Sequence, residues 1–334
     1  MALIKIVNLL LIFFPFMKSN DYLHLIFRCI FVFFALAVIA VGSIRVDGVD
    51  YLLYAMQFKY PDDFIIPDIG YRYFNVVASH FFGDFRLSLV MISVIGMVSL
   101  YRASKCYNVH ASILISIYLI HFLLLRDLAQ VRFAFSGYIF IFALTIRVHL
   151  LRHILFLVAI SIHYSMALLY IAIILYKWGG LSFAKMIAIF ILSVLCIQIF
   201  SEYIIIIDDR ILAYSSWQSE VEKTLIDHIL SLAPVVVLAL LFQLNRYQSS
   251  IVDLNLKLML ISIVIYVLTM PYSYIQGRVA SIFMTLYPIG IASILSNYDR
   301  GRNLMNPTNI LIILFLSMHL IRMDTMAIVD SMSW

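Results

Sequence analysis

Two apolar runs, ISIYLIHFLLL at 115–125 and FAFSGYIFIFALTI at 133–146, are separated by the polar segment RDLAQVR at 126–132. Such runs are typical of membrane-crossing helices, because a helix satisfies its own backbone hydrogen bonds in lipid. Arg126 and Arg132 then lie at the rim or inside of a bilayer, where a charged side chain is costly and usually has a partner or a function. Asp127 is a candidate partner for either arginine.

The composition of the whole chain agrees with a membrane location. Of its 334 residues, 64% are hydrophobic and 12% are charged, and the mean hydropathy is +1.03. Soluble domains carry about 25% charged residues, so we expect an integral membrane protein. The cysteines Cys29, Cys106 and Cys196 are scattered, which argues against a disulfide framework or a structural zinc site. The net charge of +5 is small, and we expect no nucleic-acid partner.

Apolar windows of about 15–20 residues predict the membrane helices. We place them at about 2–17, 25–44, 87–101, 111–125, 133–147, 183–200, 228–245, 257–272, 279–297 and 308–321. The apolar stretch 150–176 is long for one helix and contains SIHYS at 161–165. We therefore divide it into two short passes at His163, with a single tilted helix as the alternative. The predicted fold is an all-α, polytopic integral membrane helix bundle of about 11–12 transmembrane segments, a single transmembrane domain over 1–334.

Three long connections, 45–86, 201–227 and 322–334, fall on one side of the membrane in this topology. The short loops on the other side are basic. By the positive-inside rule we therefore assign that side to the cytoplasm and the long connections to the outer face. The outward segments nevertheless hold eight arginines and two lysines. Arginine offers a planar fork of donors that matches phosphate, so an anionic substrate at the outer face would explain this excess. Anchoring of the arginines at the headgroups is the alternative.

The 45–86 connection is predicted to combine functional groups with an interfacial helix. Asp47 and Asp50 are three residues apart, so both carboxylates can lie on one face of a turn. In DIGYRYFNVVASHF, which begins at Asp68, apolar residues recur at helical spacing and predict an amphipathic helix in the headgroup plane. These apolar positions are Ile69, Tyr73, Val76, Val77 and Phe81. The aromatic residues of the connection suit an interfacial belt and could also stack on sugar rings.

Two further residues stand out by position. His163 interrupts an apolar run, and histidine serves either as a buried hydrogen-bonding partner or as a general base. Arg278 is expected at the outer start of a helix, where it would add to the positive end of the helix dipole and favour a bound phosphate.

Several common catalytic patterns are absent from the sequence. His149 and His153 have the spacing of metal ligands, but they lie in a basic loop without a nearby carboxylate. There is no P-loop, no G-x-G-x-x-G and no G-x-S-x-G. A nucleotide-driven transporter or a serine hydrolase is therefore not expected.

An ordered series of short motifs resembles the EpsG-like group of Wzy-type polysaccharide polymerases. The motifs are RVDGVDYLLY at 45–54, DIGYRYFN at 68–75, QVRFAFS at 130–136, HYS at 163–165 and the late outward Arg278. The series spans residues 45–280, which is most of the chain.

This resemblance implies an enzyme that joins oligosaccharide repeat units carried on undecaprenyl diphosphate into O-antigen, capsule or exopolysaccharide. The reaction would be glycosyl transfer at the periplasmic face of the bacterial inner membrane, with a lipid diphosphate as leaving group. It implies no sugar nucleotide, no metal and no other cofactor. The implied partners are the lipid-linked oligosaccharide and membrane lipid, with a chain-length regulator protein and a flippase beside them.

Residue roles follow from the matched motifs together with the charges. The candidates for a base that deprotonates the acceptor hydroxyl are His163, Asp50 and Asp47. The candidates for binding the diphosphate or the saccharide are Arg132, Arg278, Arg126, Arg45, Gln130, Tyr51, Tyr54, Asp68 and Tyr71. The 45–86 and 201–227 loops would form the saccharide groove. Arg132 belongs to a matched motif, whereas Arg126 is a candidate only because of its charge and its proximity to that motif.

Three other classes remain as alternatives. A lipid-linked oligosaccharide flippase should show an inverted repeat or charges at mid-membrane on several helices, and neither is visible. A membrane O-acyltransferase of surface sugars has a similar length, but the Arg and His arrangement expected near its N-terminus is missing. A ligase that moves finished polymer to a lipid core shares the substrate and the need for arginines, and the sequence alone separates it poorly.

Overall fold

The computed structural model describes residues 51–61, 68–118, 130–177, 185, 188, 225–246, 248–268, 281–297 and 308–315. The helices are α1 (Tyr51–Lys59), α2 (Ile69–Phe82), α3 (Phe85–Cys106), α4 (Ala111–Tyr118), α5 (Val131–Leu144), α6 (His149–Ile162), α7 (Met166–Lys177), α8 (Leu225–Asn245), α9 (Ser250–Leu268) and α10 (Tyr287–Asn297). A 3-10 turn at Met284–Leu286 precedes α10, and residues 308–315 are also helical. The described residues contain no strand, and the all-α prediction is confirmed.

Two of the described helices, α3 and α9, are long and apolar enough to cross a membrane. Other apolar helices are shorter: α5 and α6 have 14 residues each. At 1.5 Å per residue they are about 21 Å long, against a hydrocarbon core of about 30 Å. The fold is a helical membrane bundle, and the number of complete passes stays a prediction.

The chain divides into two compact units. The first comprises Met1–Met166 with Pro288–Trp334, and the second comprises Ala167–Tyr287. Within the second unit, α8 packs along α9. The first unit contains α1 to α6, which bring the predicted site residues together. The single transmembrane domain over 1–334 stays a prediction.

Helices α5 and α6 form the centre of the described first unit. They follow one another across the short connection 145–148 and pack together, so the start of α5 lies near the end of α6. On its other side α5 packs against α3 at Gly96. A Cβ atom at Gly96 would overlap the Tyr138 ring, so the ring would have to shift for a larger residue to fit where α3 meets α5.

Helix α2 confirms the amphipathic helix predicted after Asp68. All five predicted apolar positions on its outer face are exposed, whereas Tyr71, Asn75 and Ala78 are buried on the opposite face. The helix ends at Gly83, whose φ of 63° is the left-handed conformation that glycine adopts readily. Its inner face packs on α1, α3 and α6. The apolar outer face is suited to lipid, and its place in the headgroup plane stays a prediction.

The break at His163 is confirmed. Helix α6 ends at Ile162, His163 is extended with φ −152° and ψ 105°, and α7 begins at Met166. The Met166 N–H donates to the His163 carbonyl at 3.0 Å, which makes a tight turn between the helices. An uninterrupted tilted helix over 150–176 is therefore wrong.

Helix α1 was not predicted. The pattern of YLLYAMQFK is not clearly amphipathic, and nine residues are too few for a stable isolated helix. Packing against α2 and α3 stabilises it instead. The described part of the 45–86 connection consequently contains two helices ahead of α3, and both contribute residues to the site.

Candidate functional site

Asp68 and Arg132 form an ion pair between α2 and α5. Arg132 Nη1 donates to Asp68 Oδ2 at 2.6 Å, and the carboxylate side chain is only 6% exposed. Asp68 occupies the N-cap position of α2, where an aspartate normally accepts from a backbone N–H of its own helix. Here its side chain makes no such cap. The carboxylate is directed away from its own helix and towards α5.

The other carboxylate oxygen fixes Asp68 to the turn between α6 and α7. The Tyr164 N–H donates to Asp68 Oδ1 at 3.2 Å, and the Ile69 N–H donates to the Tyr164 hydroxyl at 3.4 Å. The start of α2 is therefore joined to this turn by two hydrogen bonds running in opposite directions. The bond from the Tyr164 N–H depends on the extended backbone at His163, which frees this N–H from a helix.

Gly70 makes this contact possible. A Cβ atom at position 70 would lie 2.8 Å from the Ser161 carbonyl carbon and 2.9 Å from the Ile162 nitrogen. Both are backbone atoms of α6, so they cannot rotate out of the way. Glycine thus lets the first turn of α2 lie directly on the last turn of α6.

His163 shares the Asp68 carboxylate with Arg132. Its Nδ1 lies 3.7 Å from Asp68 Oδ2, longer than a hydrogen bond, and it has no hydrogen-bond partner among the described residues. The Phe133 ring packs against the imidazole at 5.3 Å between centroids. Because Nδ1 is on the carboxylate side, Nε2 is directed elsewhere. The side chain is 30% exposed, so a substrate can reach it.

Two tyrosines flank the Arg132 guanidinium. Its Cζ lies 5.6 Å from the Tyr54 ring centre and 5.9 Å from that of Tyr71, within the range of cation–π attraction. The guanidinium and the Tyr54 side chain also interact electrostatically. Its Nε has no partner among the described residues. Burial raises the pKa of Tyr71 well above its usual range, so this phenol stays neutral and can donate a hydrogen bond.

Taken together, these groups can bind an anion and move a proton. Arg132 is 20% exposed and keeps an unused donor, while Asp68 balances its charge. A phosphate would compete with Asp68 for the guanidinium, because arginine binds both through the same planar fork. Within the described part of the chain, no three His, Cys, Asp or Glu side chains come together as a metal site would require.

Comparison with known protein families gives a match over nearly the whole chain. The model of the EpsG family matches residues 3–332. The chain belongs to the EpsG family. No curated protein and no solved structure matches it significantly. The resemblance inferred from the five short motifs is confirmed, and membership of the EpsG family indicates a polymerase-like role in polysaccharide synthesis at a membrane.

The described residues bring together five of the side chains predicted for an EpsG-type site. They are Tyr54, Asp68, Tyr71, Arg132 and His163. Asp68 was predicted to bind substrate, and it serves here as counter-ion to Arg132, so direct contact with substrate stays a prediction. Gln130 is the N-cap residue of α5, half-buried, and its side chain does not cap that helix.

Other predicted residues cannot be compared with the structure. Asp47, Asp50, Arg45, Arg126 and Arg278 lie outside the described residues, as does most of the 201–227 loop. Tyr51 begins α1, but its side chain also lies outside what is described. Their roles stay predictions.

Sequence reasoning missed four contributors to the region. Gly70 lies within a matched motif but was given no role. Tyr164 contributes both its hydroxyl and its backbone N–H, and no side-chain pattern reveals the backbone contact. Gln57 and Asn75 were overlooked, although each is a polar residue one helical turn beyond a predicted tyrosine. This one-turn spacing from a predicted tyrosine was the sequence signal that could have identified both residues.

Proposed function

We propose that the protein polymerises undecaprenyl-diphosphate-linked oligosaccharide repeat units into surface polysaccharide of the O-antigen type. The growing chain would be transferred from its lipid diphosphate to the non-reducing end of the next unit, at the periplasmic face of the inner membrane. The observation that carries this proposal is the Asp68–Arg132–His163 cluster, in which a cation and a candidate base share one carboxylate. Membership of the EpsG family supports the same class of reaction.

In this reaction Arg132 binds the diphosphate of the donor. The bond between the anomeric carbon and the diphosphate oxygen breaks, and its electron pair remains on the departing diphosphate. Arg132 stabilises that developing charge, which is where preorganised donors contribute most to catalysis. Arg126, Arg278 and Arg45 are proposed as further diphosphate ligands, because one guanidinium balances only part of the charge.

His163 acts as the base. Its Nε2 accepts the proton of the acceptor hydroxyl while that oxygen bonds to the anomeric carbon. The proton then passes from the imidazolium to the departing diphosphate or to water. Asp68 lies on the Nδ1 side and stabilises the imidazolium as it forms, since bound catalytic hydrogen bonds are commonly shorter than those of the free enzyme. Asp47 and Asp50 are the alternative bases.

Asp68 also positions the arginine. When diphosphate replaces the carboxylate on Arg132, Asp68 is released from one cation, and its other cationic neighbour among the described residues is the protonated His163. Binding of the donor would thus strengthen the interaction that favours proton transfer. A chain-length regulator and a flippase are proposed as the partners that control polymer length and deliver substrate.

The test uses a host that lacks its own polymerase gene. Wild-type protein should restore a polysaccharide ladder on a gel, and a cell without it should show lipid core capped by single repeat units. Arg132→Ala and His163→Ala, present in the membrane at wild-type level, should give that single-unit pattern. The proposal fails if these variants produce a full ladder. Lipid-linked units retained on the cytoplasmic face would indicate a flippase instead.

A further inference from the structure

Three polar side chains at or next to the site are completely buried and have no hydrogen-bond partner among the described residues. Gln57 on α1 and both Tyr71 and Asn75 on α2 are 0% exposed. Among the described residues, neither carboxamide nor the Tyr71 hydroxyl has a hydrogen-bond partner. Tyr71 and Asn75 interact without reaching hydrogen-bonding geometry. We call these three residues the polar cluster.

Such a cluster destabilises the resting fold. Buried amides and hydroxyls are normally hydrogen-bonded, because a desolvated donor or acceptor without a partner costs free energy. Apolar residues of the same size could fill these positions at lower cost. The carboxamides therefore suit a polar occupant of the site better than they suit the packing of α1 against α2.

The polar cluster begins next to Arg132. Gln57 follows Tyr54 by three residues on α1, and Asn75 follows Tyr71 by four on α2, so each amide lies one turn beyond a tyrosine that flanks the guanidinium. The two tyrosine rings meet edge to face at 6.0 Å. Asn75 lies about 6 Å beyond Tyr71 along the helix axis. A group attached to an anion on Arg132 would therefore meet the two tyrosine rings first and the amides beyond them.

The chemistry of the polar cluster indicates a neutral ligand rich in hydroxyl groups. Each carboxamide offers donors and an acceptor, and the neutral Tyr71 phenol offers both as well. A sugar hydroxyl likewise donates and accepts. The cluster contains no charge to balance an ionic group. Tyrosine rings add flat surfaces on which a sugar ring can pack.

We propose that Gln57, Tyr71 and Asn75 bind the sugar directly attached to the donor diphosphate and select its hydroxyl or acetamido groups. This rests on the proposed function, because it takes the anion on Arg132 to be that diphosphate. Entry is from the Arg132 and His163 end, where side chains are 20% and 30% exposed. The sugar reaches the amides by displacing the Tyr54 and Tyr71 rings.

A binding experiment on the purified full-length protein tests this proposal separately from the proposed function on which it rests. Two probes are used: undecaprenyl diphosphate, and lipid-linked oligosaccharide extracted from a host lacking the polymerase gene. Wild-type protein should bind the sugar-bearing lipid about tenfold or more tightly. Gln57→Met and Asn75→Leu should bind undecaprenyl diphosphate as wild type does and lose that preference.

The outcomes are distinct. If the variants keep the wild-type preference, or the wild type shows none, the polar cluster does not bind sugar, whereas the proposed function survives. If the wild type binds neither lipid, the proposed function fails and the sugar subsite fails with it. Two separate variants are used so that one poorly folded protein does not decide the result.

Thermal unfolding supplies a second measurement with a matched control. Asn245 is also a buried asparagine, but its Nδ2 donates to the Leu241 carbonyl at 2.8 Å and its Oδ1 accepts from Gln248 Nε2 at 2.7 Å. Asn245→Leu should lower the unfolding temperature, because it removes satisfied hydrogen bonds. Asn75→Leu should leave it unchanged or raise it. An equal loss in both variants would show that Asn75 is structural and would overturn the proposal.

Discussion

Two ion pairs in the protein use the same chemistry but differ widely in sequence separation: Asp68–Arg132 and Asp253–Lys257. Lys257 Nζ contacts Asp253 Oδ2 at 2.8 Å, four residues away on α9, and lies 5.0 Å from the Tyr176 ring centre. Tyr176 donates to the same oxygen at 3.0 Å. Arg132 and Asp68 are 64 residues apart, yet they also combine a carboxylate, a cation and tyrosine rings.

The two pairs differ in how the chain brings their residues together and in whether the polar atoms around them have hydrogen-bond partners. Asp253 and Lys257 meet by helical periodicity alone, and both remain about one quarter to one third exposed. Asp68 is almost fully buried and depends on the start of α2, the start of α5 and the turn after α6. Arg132 Nε and His163 Nδ1 have no partner in the described residues. A costly and incompletely paired cluster is typical of a functional site.

The largest expected effect comes from Arg132. Replacing Arg132 by Ala should lower polymer synthesis by more than about a hundredfold, because the donor loses both its anchor and its charge stabilisation. Arg132→Lys should fold and insert normally yet restore little activity, since lysine lacks the planar fork. The measurement is the polysaccharide ladder at matched membrane protein levels. Full activity in Arg132→Lys would show that any cation suffices.

His163 should come next. His163→Ala is expected to lower turnover by about a hundredfold, at the lower end of the usual contribution of a general base. Affinity for undecaprenyl diphosphate should stay within about twofold of wild type, because the imidazole moves a proton and is not the anion's principal ligand. Rate and affinity are measured on the same purified sample. A loss of affinity that equals the loss of rate would make His163 a binding residue instead.

A pair of glycine substitutions tests whether the close contact of α2 matters for activity. Gly70→Ala should lower polymer synthesis about tenfold, because its Cβ displaces α2 from α6 and moves Asp68 away from Tyr164. Gly83→Ala introduces strain at a positive φ in open space and should destabilise the protein by about 1 kcal/mol. It should leave the ladder intact. Equal losses of polymer synthesis in both variants would show that Gly70→Ala acts only by destabilising the protein.

The smallest effect is expected at the local pair. Lys257→Ala should change the free energy of unfolding by less than about 0.5 kcal/mol, the usual worth of an exposed i,i+4 pair. Polymer length and amount should match wild type. If Lys257→Ala abolished the ladder, the contrast between a local pair and an assembled site would be wrong.

The sequence predicted the features that depend on composition and local spacing. Low charge and long apolar runs indicated a helical membrane bundle, and the period of DIGYRYFNVVASHF indicated α2. The interruption at His163 was visible as a polar group in an apolar run. Matched motifs also placed Asp68, Arg132 and His163 among the candidates before any geometry was known.

Sequence reasoning did not predict how those residues meet. The approach of α2 to α6 depends on the missing Cβ of Gly70, and the anchor of Asp68 is a backbone N–H 96 residues away. Helix α1 is stabilised by packing against other helices, and its nine residues carry no clear amphipathic pattern that would predict it. Such contacts are set by tertiary packing, so periodicity and propensity give no direct signal for them.

The most direct test of the site is a reconstituted reaction with purified protein in lipid bilayers and extracted lipid-linked oligosaccharide, without any sugar nucleotide. Released undecaprenyl diphosphate and newly formed glycosidic bonds are counted in the same sample. The expected result is one lipid diphosphate released for each bond formed in the wild type, with both products abolished in Arg132→Ala and His163→Ala. Bond formation that requires a sugar nucleotide, or that proceeds normally in these two variants, would contradict a polymerase centred on Asp68, Arg132 and His163.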